Sequence, residues 1–190
     1  MAVLPNPHAQ LAAPGDAPLD QAYFWQRMSR FIREDDVLVV ENGTSGAAVG
    51  GMRMPDGVKV VNQPIWGSIG YTLPALLGTL MAAPQRRHML FIGDGSFQLT
   101  AQEVSTLLRY EQKPIIFLIN NDGYTIERYI LGENSSYNDI GPWTTPNCRR
   151  CLIPRRGRSA RRWKPASSWS WRWSTLHVRK RWRLSRSNCR

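Results

Sequence analysis

The sequence predicts an α/β fold, namely a doubly wound parallel sheet that is incomplete at its C-terminal end. Four short apolar segments lack polar alternation, which is typical of strands buried on both faces of a sheet. Longer apolar or amphipathic segments of helical length separate them, and this order favours parallel strands covered by helices. The regular pattern ends after Trp143.

Spacing and composition define the expected elements. Residues 19–34 carry apolar side chains at helical intervals, which predicts an amphipathic helix. Val37–Val40 is an apolar run that a Glu-Asn-Gly turn ends, which is typical of a buried strand. Capping-box spacing from Thr100 to Glu103 predicts the start of a later helix. The expected strands are Val37–Val40, 58–61, 89–92 and 114–119, and the expected helices are 19–34, 70–83 and 99–110.

The charge distribution divides the chain into unlike parts. The formal net charge is +11, yet residues 148–190 hold 15 of the 25 basic residues and none of the 14 acidic ones. The same residues hold all three cysteines and five of the eight tryptophans. We therefore distinguish a linker-like lead rich in Ala and Pro over residues 1–18, a domain over 19–147 and a basic Arg/Trp/Ser-rich tail over 148–190.

The sequence carries no signal for a membrane or for secretion. No apolar run approaches the ~18–20 residues that a membrane span needs. The first residues lack a positively charged stretch followed by an apolar one, so no signal peptide is expected. The expected location is the cytoplasm.

Polar clusters follow two of the predicted strands. Gly93-Asp94-Gly95-Ser96 comes after the strand at 89–92, and Asn120-Asn121-Asp122-Gly123 comes after the strand at 114–119. Ligands of open parallel sheets bind at the carboxyl ends of the strands. Carboxylate, amide and backbone carbonyl oxygens suit a hard dication that bridges phosphates, and the glycines would let a diphosphate approach the backbone. The pair of clusters predicts a metal–diphosphate site, whereas each cluster alone is typical of an ordinary strand-to-helix turn.

The residues GDGSFQLTAQEV, followed by PIIFLINNDGYTIE, resemble the thiamine diphosphate motif of Gly-Asp-Gly and a later Asn-Asn. The sequence is most similar to the pyruvate, indolepyruvate and phenylpyruvate decarboxylases. The similarity runs from about Pro18 to Trp143 and includes ENGTS at 41–45, QPIWGSIG at 63–70 and YNDI at 137–140. The resemblance implies the thiamine diphosphate-binding fold for the domain. It also implies a further strand, a helix and a last strand after Trp143, which this sequence lacks, so the sheet is expected to be incomplete at its C-terminal end.

The resemblance also implies two cofactors, thiamine diphosphate and Mg²⁺, and roles for single residues. Glu127 would handle protons during decarboxylation and aldehyde release, although it could instead be a solvated carboxylate on a helix. Ile69 would lie beneath the thiazolium, and the Gly67 carbonyl would accept a hydrogen bond from the 4′-amino group. The implied Mg²⁺ ligands are Asp94, Asn121 and the Gly123 carbonyl; the implied cofactor contacts are Thr44, Gly67, Ile69, Gly93, Gly95, Ser96 and Asn121; the implied substrate-pocket residues are Ile126 and Ile130. Ile69 and Ile130 could alternatively be core residues.

The implied activity is decarboxylation of a 2-oxo acid, namely pyruvate, phenylpyruvate or indolepyruvate, to an aldehyde. A carboligase such as acetolactate synthase and a benzoylformate decarboxylase are the alternatives, and Gly-Tyr-Thr-Ile-Glu at 123–127 argues against both. In the family a pyrimidine-binding domain precedes this one, and nothing before residue 19 corresponds to it. We therefore expect a fragment that is inactive alone, that binds cofactor at most, and whose parent is a homodimer or homotetramer.

The tail over 148–190 is expected to be disordered and translated out of frame. The family's sequence stops without a linker, and GC-rich coding DNA read in a wrong frame accumulates Arg, Ser, Pro and Trp codons. The alternative is a non-catalytic protein whose basic, aromatic arm binds nucleic acid or an anionic membrane surface. We favour the shifted frame, and therefore expect no nucleic-acid or membrane partner.

Overall fold

The computed structural model of the chain describes residues 20–141 and the backbone of a strand at 173–177. None of the helices in this part of the chain is long and apolar enough to cross a membrane. The predicted lead over 1–18 lies outside the described residues. The helices are α1 (Gln21–Phe31), α2 (Thr44–Gly50), α3 (Thr72–Ala82), α4 (Asp94–Thr100), α5 (Glu103–Arg109) and α6 (Thr125–Leu131), followed by a 3-10 turn at Ser136–Asn138; the strands are β1 (Val37–Val40), β2 (Lys59–Val61), β3 (His88–Gly93), β4 (Ile115–Asn120) and β5 (Trp173–His177).

The strands form one parallel sheet in the order β2-β1-β3-β4-β5. From β1 the chain passes to β2 at one edge, returns across β1 to β3, and then continues to β4 on the far side. The direction of the connections therefore reverses between β1 and β3. This reversal is the switch point at which open parallel sheets bind their ligands.

Helices cover both faces of the sheet, which confirms the doubly wound arrangement. Neighbouring residues of a strand point to opposite faces, so that Phe91 and Leu90 of β3 lie in different apolar clusters. Phe91 stacks on Phe117 of β4 with ring centroids 4.9 Å apart, and both pack against Phe24 of α1. The cluster beneath α1 and α2 contains Phe24, Trp25, Ile32, Leu38, Val40, Val49, Met89, Phe91, Phe117 and Ile119; the cluster beneath α3, α4 and α5 contains Val39, Leu73, Leu76, Leu80, Leu90, Ile92, Phe97, Ala101, Val104, Leu107, Ile116 and Leu118.

The predicted helix over 99–110 is present over Glu103–Arg109, whereas its predicted start and capping box are wrong. A helix begins directly after β3 and ends at Thr100, and α5 begins only at Glu103. Thr100 therefore caps nothing, and its hydroxyl instead donates to the carbonyl of Gly70 at 2.8 Å. The spacing was misleading because a capping residue must stand outside the helix in extended backbone, whereas Thr100 is the last residue of α4.

Five residues of the basic tail form a strand. Trp173–His177 pairs in parallel with Ile116–Asn120 of β4. The expectation of disorder does not hold at these five residues, and the rest of the tail lies outside the described residues. Backbone N–H and C=O groups at the outer side of β4 can pair with any extended segment, so this strand needed no apolar periodicity in its own sequence. That the tail is out of frame stays a prediction.

Candidate functional site

The predicted site residues converge at the carboxyl edge of the sheet. β1, β3 and β4 are neighbours, so the segments that follow them lie side by side. After β1 comes Glu41-Asn42-Gly43-Thr44, after β3 comes Asp94 as the first residue of α4, and after β4 comes Asn121-Asp122-Gly123. The two polar clusters that were predicted to form one site, after β3 and after β4, therefore lie together next to the switch point between β1 and β3.

Asp94 joins the two clusters. Its side chain is buried, its Oδ1 accepts from the N–H of Gly95 at 2.9 Å, and its Oδ2 accepts from the N–H of Gly123 at 3.0 Å. Burial raises the pKa of the Asp94 carboxyl above its usual value, and the backbone N–H groups of Gly123, Gly95 and Asn121 partly oppose that shift. A buried carboxylate without a basic partner in these contacts is a natural ligand for a cation.

The amide of Asn121 completes a cluster of oxygen atoms. In one of its two orientations, the side-chain oxygen lies 3.0 Å from the carbonyl oxygen of Gly123 and 3.1 Å from Oδ1 of Asp94. Three acceptors that face one another repel unless a cation lies between them. With the amide turned over, its nitrogen donates to both oxygens and its oxygen accepts from the Thr125 hydroxyl at 2.8 Å. The same groups therefore suit a bound cation or, without one, a closed hydrogen-bond network.

These oxygens come from mixed donor types. Within residues 20–141 no three His, Cys, Asp or Glu side chains come together to hold a metal. The cluster provides one carboxylate, one amide and one backbone carbonyl instead, a donor set that suits Mg²⁺ and not Zn²⁺.

Gly123 has a backbone that requires glycine. Its φ is +110°, and a Cβ at this position would collide with the carbonyl oxygen of Asn138. Its own carbonyl accepts from the N–H of Thr125 at 2.9 Å, and its N–H donates to Asp94. The turn that offers the third oxygen is therefore fixed from several sides.

A buried carboxylate that sequence reasoning missed holds the segment with Gly67 and Ile69. Glu41 is 1% exposed, and its carboxylate accepts from the N–H of Asn42 at 3.0 Å, the N–H of Gly70 at 3.1 Å and the hydroxyl of Thr72 at 2.7 Å. These bonds tie the segment before α3 to the end of β1. The only available signal was a carboxylate placed directly after a fully apolar strand.

The same segment exposes Ile69 and brings Gly67 close to the end of β1. Ile69 is 40% exposed, so it is not a core residue. Gly67 has a φ of +61°, and a Cβ there would lie 4.0 Å from the amide nitrogen of Asn42. The amide of Asn42 donates in turn to the carbonyl of Gln63 at 2.6 Å. Gly67 and Ile69 therefore lie at the same edge of the sheet as the oxygen cluster.

The two glycines at the start of α4 have different surroundings. A Cβ at Gly93 would meet no atom within 4 Å, whereas a Cβ at Gly95 would collide with the ring of Tyr124. Ser96 is buried in the first turn of the helix. The glycine at position 95 thus makes room for an aromatic side chain, a role that its sequence context alone did not reveal.

The helix α6 carries the predicted catalytic and pocket residues. It begins at Thr125, two residues after the Gly123 turn, and none of its residues is buried. Glu127 is half-buried, and Ile126 reaches back towards β1, because a Cβ at Gly43 would lie 3.6 Å from its Cγ2. Ile126 and Ile130 are 39% and 65% exposed, so Ile130 is not a core residue.

The part of the chain that holds this site matches a known protein family. Residues 42–150, more than half of the chain, match the family described as thiamine pyrophosphate enzyme, C-terminal TPP binding domain. The name thiamine pyrophosphate denotes the same compound as thiamine diphosphate. The matched range includes β2, β3 and β4 and every predicted site residue.

Three curated relatives match between 68% and 73% of the chain. A pyruvate decarboxylase of Aspergillus fumigatus is 45% identical over 148 residues, which cover 73% of this chain and 26% of the relative. Pyruvate decarboxylase isozyme 2 of Saccharomyces cerevisiae is 46% identical over 136 residues, 70% of this chain and 24% of the relative. An alpha-keto-acid decarboxylase of Mycolicibacterium paratuberculosis is 48% identical over 130 residues, 68% of this chain and 23% of the relative.

The chain spans about a quarter of the length of these curated relatives. The resemblance that the motifs indicated is confirmed. The fold, the position of the polar clusters at the switch point and the matched range agree with one another. The chain belongs to the thiamine pyrophosphate enzyme family, and the part that it contains matches the C-terminal TPP-binding domain of that family.

Proposed function

We propose that residues 20–141 hold the diphosphate of thiamine diphosphate through Mg²⁺, and that they belong to a 2-oxo acid decarboxylase. The convergence of three oxygens, from Asp94, Asn121 and Gly123, carries the proposal. The names of the relatives, pyruvate decarboxylase and alpha-keto-acid decarboxylase, support the reaction class.

The spacing of the oxygens suits a small octahedral ion. Mg²⁺ binds oxygen at ~2.0–2.1 Å, so adjacent ligands of an octahedron lie about 2.9 Å apart. With the Asn121 amide turned so that its oxygen faces the cluster, that oxygen lies 3.0 Å from the Gly123 oxygen and 3.1 Å from Oδ1 of Asp94. With a single carboxylate among these ligands, the ion keeps positive charge, which would attract the diphosphate. The remaining ligand positions are free for diphosphate oxygens and water.

The other site residues would surround the cofactor. Thr44 begins α2, Gly93 ends β3 and Ser96 lies in the first turn of α4, all at the sheet edge that holds the oxygen cluster. Backbone N–H groups and hydroxyls at these positions would bind the diphosphate. Ile69 presents an apolar side chain against which the thiazolium would rest, and the Gly67 carbonyl would accept from the aminopyrimidine. When bound, thiamine diphosphate supplies the electron sink that decarboxylation needs.

Glu127 is the residue to which we assign proton handling. It stands in the first turn of α6, half-buried and close in sequence to the Gly123 turn. Its carboxyl would hold a proton at Oε and deliver it towards the substrate, while Ile126 and Ile130 would line the pocket. If Glu127 were only a solvated carboxylate, Glu127→Gln would leave the activity of the intact enzyme unchanged.

The thiazolium end of the site is open in the described residues. Ile69, Ile126 and Ile130 all expose a large part of their side chains. Decarboxylation of this kind needs a site from which water is excluded. We therefore propose that this chain needs another protein surface to complete the site, and that the 190 residues alone bind cofactor but do not decarboxylate.

A metal-binding measurement tests the proposal. Mn²⁺ is titrated into the full chain with excess thiamine diphosphate, and the free ion is counted by its electron paramagnetic resonance signal. Asp94→Asn should weaken Mn²⁺ binding by more than about tenfold, because the charged ligand is lost. The matched control, Asp122→Asn, removes an exposed carboxylate from the same loop and should leave the affinity within about twofold. Equal affinities for wild type and Asp94→Asn would refute the proposal.

Several finer assignments stay predictions. The identity of the 2-oxo acid, release of an aldehyde in place of a carboligation product, a homodimeric or homotetrameric parent and a cytoplasmic location all belong to this group. Aldehyde release by the intact enzyme from pyruvate, phenylpyruvate and indolepyruvate would decide between a decarboxylase and a carboligase.

A further inference from the structure

Arg128 binds a segment that folds back on the Gly123 turn. Its side chain is only 14% exposed, its Nη1 donates to the carbonyl of Glu133 at 2.9 Å, and its Nη2 donates to the carbonyl of Asn138 at 3.1 Å. Nη2 also forms an ion pair with Asp139. One guanidinium thus holds the chain at two places, before and after the 3-10 turn at Ser136–Asn138.

The clamped segment lies directly against the proposed metal turn. The carbonyl of Asn138, which accepts from Arg128, also accepts from the N–H of Tyr124 at 3.1 Å. The same carbonyl occupies the space that a Cβ at Gly123 would need. Asn138 itself is fully buried. The position of the Asn138 backbone therefore limits the conformations open to Gly123.

A glycine needs such a constraint if its carbonyl is to serve as a ligand. Without a Cβ, glycine moves between several backbone conformations at little cost, and each aims the carbonyl differently. The Asn138 backbone restricts this freedom, and Arg128 holds Asn138 in place. Two other bonds of Asn138 are local, namely the 3.3 Å bond from its amide to the carbonyl of Gly132 and the 3.0 Å bond from its N–H to the carbonyl of Ser135.

We infer that Arg128 is a positioning residue, which acts through Asn138 to keep the Gly123 carbonyl aimed at the metal. The inference rests on the proposed function, since it assigns a purpose to Gly123 as a ligand. It predicts that removing the guanidinium weakens metal binding although Arg128 is no ligand. Partners that orient the ligands of a metal typically change its affinity by about 10–100-fold when they are removed.

The test compares two arginines with similar partners at opposite edges of the sheet. Arg128→Met should weaken Mn²⁺ binding in the presence of excess thiamine diphosphate by about tenfold or more. Arg128→Lys keeps one donor and should recover part of the loss. Arg86 pairs with Asp35 at 2.9 Å and donates to the carbonyl of Gly57 at 3.1 Å, before the start of β3. Arg86→Met should therefore leave Mn²⁺ binding unchanged.

Hydrogen exchange supplies a readout that does not depend on the metal. The N–H of Tyr124 donates to Asn138, so its exchange should accelerate in Arg128→Met, while the amides of β3 and β4 keep their protection. If Arg128→Met does not fold, Asp139→Asn removes only the charged partner and should still weaken Mn²⁺ binding by a few-fold.

Each outcome decides the inference. Faster exchange at Tyr124 with unchanged Mn²⁺ affinity would overturn the positioning role while leaving the proposed function intact. An equal loss in Arg128→Met and Arg86→Met would show a general loss of stability and would also overturn it. If wild type binds no Mn²⁺ with thiamine diphosphate, the proposed function fails first and the inference fails with it.

Discussion

Glu41 offers a sharp test of how the site is held together. In Glu41→Gln, one oxygen of the carboxylate becomes an NH₂ group in the same space. If the remaining oxygen faces Gly70 and Thr72, the NH₂ group faces the N–H of Asn42, from which Oε1 accepted at 3.0 Å. Leaving that half-buried donor unpaired costs about 1–3 kcal/mol, and the two surviving bonds lose the strength that the negative charge gave them. We expect a total loss of about 2–4 kcal/mol in the free energy of unfolding.

Urea unfolding of the full chain, followed by circular dichroism, measures this loss. The matched control is Glu34→Gln, which changes an exposed carboxylate and should alter the free energy of unfolding by less than about 0.5 kcal/mol. A loss below about 1 kcal/mol in Glu41→Gln would refute the reasoning, because three hydrogen bonds to a buried charge cannot be replaced so cheaply.

Two further predictions concern the oxygen cluster. Gly123→Ala should lower the free energy of unfolding in urea by more than about 2 kcal/mol, because an alanine at a φ of +110° is strained and its Cβ meets Asn138. The control is Gly50→Ala in α2, where a Cβ meets nothing within 4 Å. It should raise the free energy of unfolding by about 0.5–1 kcal/mol. In the metal-free chain, burial raises the pKa of Asp94, so the folded state holds this proton more tightly than the unfolded chain does. The stability of wild type relative to Asp94→Asn should therefore fall as the pH rises from about 3.9 through the raised pKa, and a rise over that range, measured by urea unfolding, would contradict the assigned burial.

The sheet could be predicted from the sequence because its signal is local. The four predicted strands appear within one or two residues of their expected bounds, since continuous apolar runs such as Val37–Val40 have few alternatives to a buried strand. The helix α3 was predicted because an apolar run rich in Ala and Leu, long enough for a helix, ends at Pro84. By contrast, α2 and α6 have seven residues each and gave no clear period. Helices this short depend on their tertiary contacts.

The residues proposed for the metal site came from motifs, and the groups that hold them in place gave no such signal. Asp94 and Asn121 follow strands directly, so their meeting at the sheet edge follows from the topology. The partners of Glu41 at Gly70 and Thr72 are 29 and 31 residues away, and a distance of that size carries no sequence signal. Arg128 acts largely on backbone carbonyls, which every residue possesses. Its role therefore became visible only in the folded chain.

The position of the metal is the most direct test of the account. Mn²⁺ broadens the nuclear magnetic resonance signals of nearby amides, so it maps its own site in the full chain when thiamine diphosphate is present. We predict that the amide signals of Gly95, Asn121 and Gly123 disappear first, while those of Asp35 and Arg86 at the opposite edge of the sheet persist. Unchanged signals at these three residues, or broadening centred elsewhere in the domain, would contradict it.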